Sequence, residues 1–162
     1  GGDAREPIQI GGLLADVAAR FANRSQVVHV EREPCMVVAD REGLEQALVH
    51  LVQNAIDASE GKAPVVLDLH QETACAVIEI IDSGCGMSPE FIRMRLFKPF
   101  HSSKPGGFGI GAFEARELIR AMGGRLDVES REGLGTRFLL RLPLAEADAL
   151  IRSIENSKNK VA

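Results

Sequence analysis

Apolar positions recur along this chain with two periods, and the switches between them divide it into elements. In "IGGLLADVAARFANR", residues 10–24, Leu13, Leu14, Val17, Ala18 and Phe21 fall three and four apart, as on one face of an α-helix. "QVVHVE" and "CMVVA" are short, rich in β-branched residues, and predict strands. Asp40 stands where an N-cap would open the next helix, "REGLEQALVHLVQNAIDAS". In it Leu44, Ala47, Leu48, Leu51, Val52, Ala55 and Ile56 form an unbroken apolar stripe, which predicts the helix on which the core is built. "APVVLDLHQ" and "ACAVIEIID" predict a hairpin turning at "ETA".

Ser88 followed by Pro89 is a helix-start signal for a short helix to about Leu96. Ala112, Ala115, Leu118, Ile119 and Met122 predict another helix, stopped by Gly123 and Gly124. "RLDVES", the turn "REGLG" and "TRFLLRLP" close the pattern as a second hairpin. Elements in this order predict an α+β fold: a two-layer α/β sandwich with a mixed, mainly antiparallel sheet and helices on one face. One domain is expected over residues 8–143, after a flexible N-terminus or cloning remnant at 1–7. The tail from Leu144 is expected to be helical to Ile154 and frayed beyond it.

Composition narrows the class. With 162 residues, 45% apolar and 26% charged, the chain resembles an ordinary globular domain, neither disordered nor fibrous. A formal net charge of −4 weighs against a surface built to track nucleic acid. Charge is unevenly spread, however: from Phe91 to Phe113 there is no acidic residue, while Arg93, Arg95, Lys98, His101 and Lys104 all fall there. A cationic segment on an acidic chain suggests a local polyanion site, and a solvated basic loop would look the same. Cys35, Cys75 and Cys85 form no C-x-x-C pair, which predicts a reducing compartment. No apolar run approaches the roughly 18 residues of a membrane span, so a cytoplasmic domain without direct membrane contact is expected.

Three stretches carry candidate chemistry. On the long helix, a rotation of about 100° per residue puts His50, Asn54 and Asp57 on one flank of the apolar stripe. They line a groove, or simply mark the boundary between buried and wet faces. "IIDSGCGM" ends an apolar strand in Asp82, with Gly84 and Gly86 directly after it. A carboxylate there can accept a hydrogen bond from an exocyclic amine such as adenine's, and the glycines would let a flat ligand approach the backbone. A plain Asp-Ser-Gly turn has the same spelling. In "KPFHSSKPGGFGIGAFEAR", Gly106, Gly107, Gly109 and Gly111 precede a helix, where free amides and the positive end of the helix dipole suit phosphate. Gly107, Gly109 and Ala112 also satisfy the G-x-G-x-x-A dinucleotide fingerprint, but that motif must follow a strand, and "LFKPFHSSKPG" is none.

Taken in order, "HLVQNAIDAS", "DSGCGM", "LFKPFHSSK", "GGFGIGAF" and "GLGTRFLLRLP" closely resemble the N, G1, F, G2 and final-glycine motifs of the catalytic ATP-binding domain of sensor histidine kinases. This is a branch of the gyrase, HSP90 and MutL type of ATPase, and the resemblance spans about Ile8 to Pro143. "FIRMRLFKPF" and "GIGAFEAR" further resemble kinases associated with the exosortase sorting system. The resemblance implies ATP held between the long helix and a lid at residues 97–109. Asn54 would hold Mg²⁺ and Asp82 would read the adenine amine. Gly84, Gly86 and Met87 would shape the base pocket, and Thr136 would support Asp82 through water. Lys104 and the amides of Gly107, Gly109 and Gly111 would face the phosphates, with Asp57 and Ile110 in the same nucleotide site.

Three departures qualify the match. His50 stands where these kinases usually carry Asn, and would assist phosphates or metal, or pack. Ala112 replaces a usual leucine. The phosphorylated histidine of such kinases is normally followed by an acid, whereas His29, His50, His70 and His101 precede Val, Leu, Gln and Ser. The implied partners are therefore a dimerisation and phosphoacceptor domain outside this chain and a response regulator, in a parent kinase at the inner membrane, with no nucleic acid. An anti-sigma-factor type of serine kinase and a non-catalytic nucleotide-sensing module are the alternatives.

Overall fold

A computed structural model describes residues 4–23, 26–60, 62–99 and 111–161. Lys104, Gly107, Gly109 and Ile110, and most of the expected lid, lie outside these described residues.

The main sheet has five strands in the order β2-β4-β5-β7-β6: β2 Val27–Glu31, β4 Val65–Glu72, β5 Cys75–Asp82, β7 Gly135–Pro143 and β6 Arg125–Arg131. β2 runs parallel to β4, and the other pairings are antiparallel, so the sheet is mixed and mainly antiparallel as expected. Helices α1 (Ile10–Arg20), α2 (Arg41–Ala58) and α4 (Ala112–Ala121) supply the second layer. The two-residue period of the strands puts Leu67, Leu69, Ile78, Ile80, Phe138 and Leu140 among the buried core residues, together with the helix stripes. All seven apolar stripe positions of α2 are buried. Burying one such Leu or Ile side chain stabilises the fold by about 1.5–3 kcal/mol, so α2 is the rigid reference for whatever it carries.

Strand β1 (Arg5–Gln9) begins inside the stretch expected to be flexible and pairs antiparallel with β3 (Met36–Asp40) in a separate two-stranded sheet. Of its five residues only Ile8 is buried, too sparse a pattern to predict a strand. Asp40 takes the N-cap position of α2, but its carboxylate makes no capping hydrogen bond. Its backbone is instead the last rung of the β3 ladder, opposite Arg5. Ser88 does cap the short helix α3 (Pro89–Phe91), its Oγ accepting from the Phe91 amide at 3.0 Å. The chain then continues as a π-helical turn over Ile92–Leu96.

The C-terminal helix α5 (Ala145–Val161) runs past the expected end at Ile154. Leu144 donates to the Ala74 carbonyl where α5 begins, and Asp148 is ion-paired with Arg5 and Arg152 at 3.0 and 3.1 Å. Among the described residues no helix is long and apolar enough to cross a membrane.

On the face of the sheet away from the helices, Asp68 stands directly opposite Glu79, with His70 beside them. Their ligating atoms lie within 4.8 Å of one another, a spacing that could suit a metal. Both carboxylates also contact guanidinium groups, Arg32 at 2.7 Å from Asp68 and Arg137, shared with Glu129, at 3.7 Å from Glu79, so the cluster is part of an ion-pair network.

Candidate functional site

Asp82, Gly84, Gly86 and Thr136 come together where the C-terminal ends of β5 and α2 meet the β6–β7 turn. Asp82 is the last residue of β5 and pairs across the sheet with Thr136 of β7. Only 7% of its surface is exposed. One carboxylate oxygen, Oδ1, accepts from the Gly84 amide at 2.9 Å and the Thr136 amide at 3.3 Å. Burial pushes the Asp82 carboxyl above its ordinary range, and the two amides pull it partly back. Oδ2 accepts no hydrogen bond among the described residues, so a largely buried residue presents one open acceptor beside one that is already satisfied.

Thr136 contacts Asp82 directly through its main-chain amide. The Thr136 hydroxyl pairs instead with Ser130 Oγ at 2.7 Å. Ser130, which no motif singled out, joins three segments: its Oγ accepts from the Met87 amide at 2.8 Å and donates to the Gly135 carbonyl at 3.0 Å. Because the one Ser130 proton goes to Gly135, Thr136 must donate to Ser130, which leaves the Thr136 oxygen as an acceptor. Ser130 of β6 stands directly opposite Thr136 of β7, so theirs is a contact that only the sheet register creates.

Gly84 and Gly86 hold the loop rather than merely thin it. A Cβ at Gly84 would lie 2.5 Å from the Ala58 carbonyl at the end of α2. Gly86 has a φ of +72° and presses on the Arg131 carbonyl. The loop is also strapped by the Cys85 amide to the Ala58 carbonyl at 3.4 Å and by the Gly133 amide to the Cys85 carbonyl at 2.7 Å. Met87 packs against the core while Cys85 is exposed.

Along α2, His50 and Asn54 come together as the helical period requires, both half-buried, with His50 Nε2 and Asn54 Nδ2 3.0 Å apart. Asp57 is exposed, and its Oδ1 accepts from Gln53 Nε2 at 2.9 Å. The amide of Gly111, expected to face phosphate, donates to Glu114 Oε2 at 2.8 Å, so this carboxylate holds the N-terminus of α4. Arg116 of α4 lies over the Phe97 ring, its guanidinium carbon 4.3 Å from the centroid, tying this helix to the first residue of the expected lid.

The arrangement combines a desolvated carboxylate able to select a donor edge, a strapped glycine loop, and a carboxamide on a rigid helix. The chain as a whole is similar to known proteins. The family model of "Histidine kinase-, DNA gyrase B-, and HSP90-like ATPase" matches residues 39–146. The C4-dicarboxylate transport sensor protein DctB of Rhizobium meliloti is 31% identical over 140 residues, covering 84% of this chain and 22% of that protein. The sensor protein FixL of Bradyrhizobium diazoefficiens is 32% identical over 142 residues, covering 86% and 28% respectively. This chain thus spans about a quarter of the length of such relatives. Among solved structures, the mycobacterial sensor histidine kinase MprB superposes with a TM-score of 0.76 at 26% identity, over 87% of this chain and 98% of that one. Full-length ShkA in complex with AMPPNP gives 0.78 at 26% identity, over 89% and 32%. The chain belongs to the histidine kinase-, DNA gyrase B- and HSP90-like ATPases, as a catalytic ATP-binding domain of the two-component sensor histidine kinase type.

Proposed function

We propose that residues 8–143 bind Mg-ATP and deliver its γ-phosphoryl group to a histidine on a dimerisation domain outside this chain, from which a response regulator takes it. The observation that carries the adenine assignment is the Asp82 carboxylate, buried and fixed by two backbone amides through one oxygen. A donor edge meeting the second oxygen restores a hydrogen bond to a charged group, worth about 1.5–3 kcal/mol, and a purine with a carbonyl at that place forfeits it. Gly84 and Gly86 keep the loop backbone flush against α2 and the β6–β7 turn, so the rim has a defined shape. That ShkA, similar in fold at 26% identity, was solved in complex with AMPPNP supports nucleotide binding by this chain.

Asn54 is the residue suited to hold Mg²⁺. Its carboxamide stands on α2 with Nδ2 turned to His50, and its oxygen is the atom suited to a hard cation. When bound, the ion would neutralise charge on the phosphates, where positioning and electrostatics dominate phosphoryl transfer. Lys104 and the amides of Gly107, Gly109 and Gly111 are the candidate phosphate contacts, with Asp57, Met87 and Ile110 in the same site. Glu114 would yield the Gly111 amide to a phosphate. The chain would act in the cytoplasm, where ATP is supplied, without nucleic acid. The exosortase-associated branch rests on "FIRMRLFKPF" and "GIGAFEAR".

Thermal shift in parallel with Mg-ATP, Mg-GTP and NAD tests the ligand. A ligand at a hundredfold its Kd adds about 2.7 kcal/mol, or roughly 5–11 °C for a chain of this size. A shift with ATP alone supports the reading, and equal shifts or none refute it. Adding separate dimerisation helices and assaying phosphohistidine tests the transfer; phosphoserine on a partner instead would favour the serine kinase.

A further inference from the structure

Helix α5 carries an apolar stripe that the rest of the fold leaves open. Ala147, Leu150, Ile151 and Ile154 recur three and four apart, and the last three are 63%, 48% and 48% exposed. The start of the helix is tied to the body, by Leu144 to the Ala74 carbonyl and by Asp148 to Arg5, whereas residues 149–160 are all exposed. Within that free length Ser153, Asn156, Ser157 and Asn159 are weak helix formers, and an isolated helix shorter than about 12–15 residues is marginal in water. Its helical form calls for packing on the open stripe. The surface dips between Ser153, Ile154, Ser157 and Lys158, which leaves room there for an incoming side chain.

Charge indicates what covers it. Glu146 and Asp148 lie in the first turn of α5 and Lys158 and Lys160 in the last; with Glu155 and Arg152 between them, the helix is neutral but divided by sign along its length. Glu146, Glu155, Lys158 and Lys160 form no ion pair among the described residues. A neutral helix lacks the basic face that an anionic membrane surface requires. We propose that α5 pairs antiparallel with α5 of a second copy of this chain, about a dyad near Ile151. With Ala147, Leu150, Ile154 and Ser157 as the seam positions, Leu150 meets Ile154 of the second copy and Ala147 meets Ser157, large against large and small against small. Glu146 and Lys160 then flank the seam level with each other, giving two ion pairs by symmetry. A parallel pair would set Glu146 beside Ile151 and Ser153 beside Lys158, and would form none. The helix begins at the Ala74 end of the sheet, and Asp82 ends β5 seven residues from Cys75, about 24 Å away at 3.4 Å per residue, so pairing leaves the nucleotide site open. The contact is small beside a standard interface of about 1,200–2,000 Å², so it is weak in the free chain. Two copies tethered by the dimerisation domain proposed above would meet at an effective concentration on the order of millimolar, where a weak contact suffices.

Sedimentation velocity on the full chain, from about 10 µM to about 1 mM at low salt, reads the pairing as a concentration-dependent shift from monomer to dimer. Leu150→Glu, at a position already exposed, should keep the melting curve of dilute protein and weaken dimerisation by about a hundredfold or more, because each dimer loses two buried leucines. Glu146→Lys or Lys160→Glu alone should weaken it by roughly two- to thirtyfold, the value of two exposed ion pairs. The two substitutions together exchange the signs and should restore it. They also reverse both favourable interactions with the helix dipole, so an effect acting only through helix stability would worsen in the double variant. A monomer at every concentration overturns the proposal, as does a dimer indifferent to Leu150→Glu or a double variant weaker than either single one. Binding of the wild-type chain to phosphatidylserine vesicles through α5, with no dimer in solution, would assign the stripe to a membrane and overturns it as well. Mg-ATP titration of Leu150→Glu should match wild type; a chain that stays monomeric but takes up Mg-ATP sinks only this inference, whereas a dimer that takes up no nucleotide sinks the proposed function and leaves this one standing.

Discussion

Replacing Asp82 with Asn separates ligand recognition from folding at a single atom. In the wild-type chain Oδ1 accepts from the amides of Gly84 and Thr136, and an asparagine oxygen can do the same. The change falls on the other prong, where an NH₂ group replaces a carboxylate oxygen. Facing the exocyclic amine of adenine, that group sets donor against donor and removes a charge-assisted bond worth about 1.5–3 kcal/mol, or roughly 10- to 150-fold in affinity. A guanine carbonyl would find a donor there instead, so the preference for ATP over GTP should narrow from both sides. Folding should move the other way. Burial raises the Asp82 carboxyl above its ordinary value, so the folded state takes up this proton more readily than the unfolded chain. Its contribution is therefore fully favourable only below the unfolded pKa and is lost as pH rises through the folded one. The nucleotide-free variant should melt no lower than wild type at pH 7, and any advantage should shrink as pH falls toward about 4 and Asp82 becomes neutral. Calorimetric titration with Mg-ATP and Mg-GTP, with melting curves of the free proteins, measures both effects. Unchanged affinities for both nucleotides, with the fold intact, would remove Asp82 from the base pocket.

Other outcomes follow from the same contacts. Gly86→Ala adds a Cβ at a φ of +72° against the Arg131 carbonyl, and should cost about 1–3 kcal/mol and several degrees of melting temperature; a variant as stable as wild type would refute the packing described for the loop. Cys85 is exposed, whereas Cys35 is buried with its thiol pushed up by burial and by Glu33, so Cys85 should react first with an alkylating reagent and more slowly once Mg-ATP is bound. Equal rates with and without nucleotide, read by intact mass, would place the loop away from the ligand. Burial pushes the His70 imidazole down, but its hydrogen bonds to Glu72 and Asp68, with the charge of Glu79, together carry it above its ordinary value. The stability it contributes is present below the unfolded pKa of about 6.5 and is lost as pH rises through the higher folded value. His70→Gln should flatten denaturant midpoints across that range, and an unaltered pH profile would contradict the pairing.

Local periodicity made most of the layers readable. The α2 stripe from Leu44 to Ile56 is buried position for position, and Ala115 and Ile119 of α4 are buried as their spacing predicts. Asp82 at a strand end, Gly84 and Gly86 after it, and Asn54 one turn from His50 were likewise visible, because each depends on neighbours only a few residues away. Where local signals were thin or ambiguous, the reading failed. Strand β1 has one buried residue and a proline, and becomes a strand only because β3, some thirty residues on, offers a ladder. The α5 helix continues to Val161 beyond a tail that composition alone marks as polar and frayed.

The sequence by itself determined which segments are helix or strand and which residue types could hold a nucleotide, since side-chain period and backbone preference are properties of neighbouring residues. Tertiary structure alone decided that one Asp82 oxygen is already taken by Thr136, that Ser130 fastens Met87 to the β6–β7 turn, and that Gly84 is needed where α2 ends. Those contacts join elements that are distant along the chain, and their geometry is set by sheet register and helix packing, which no local pattern encodes.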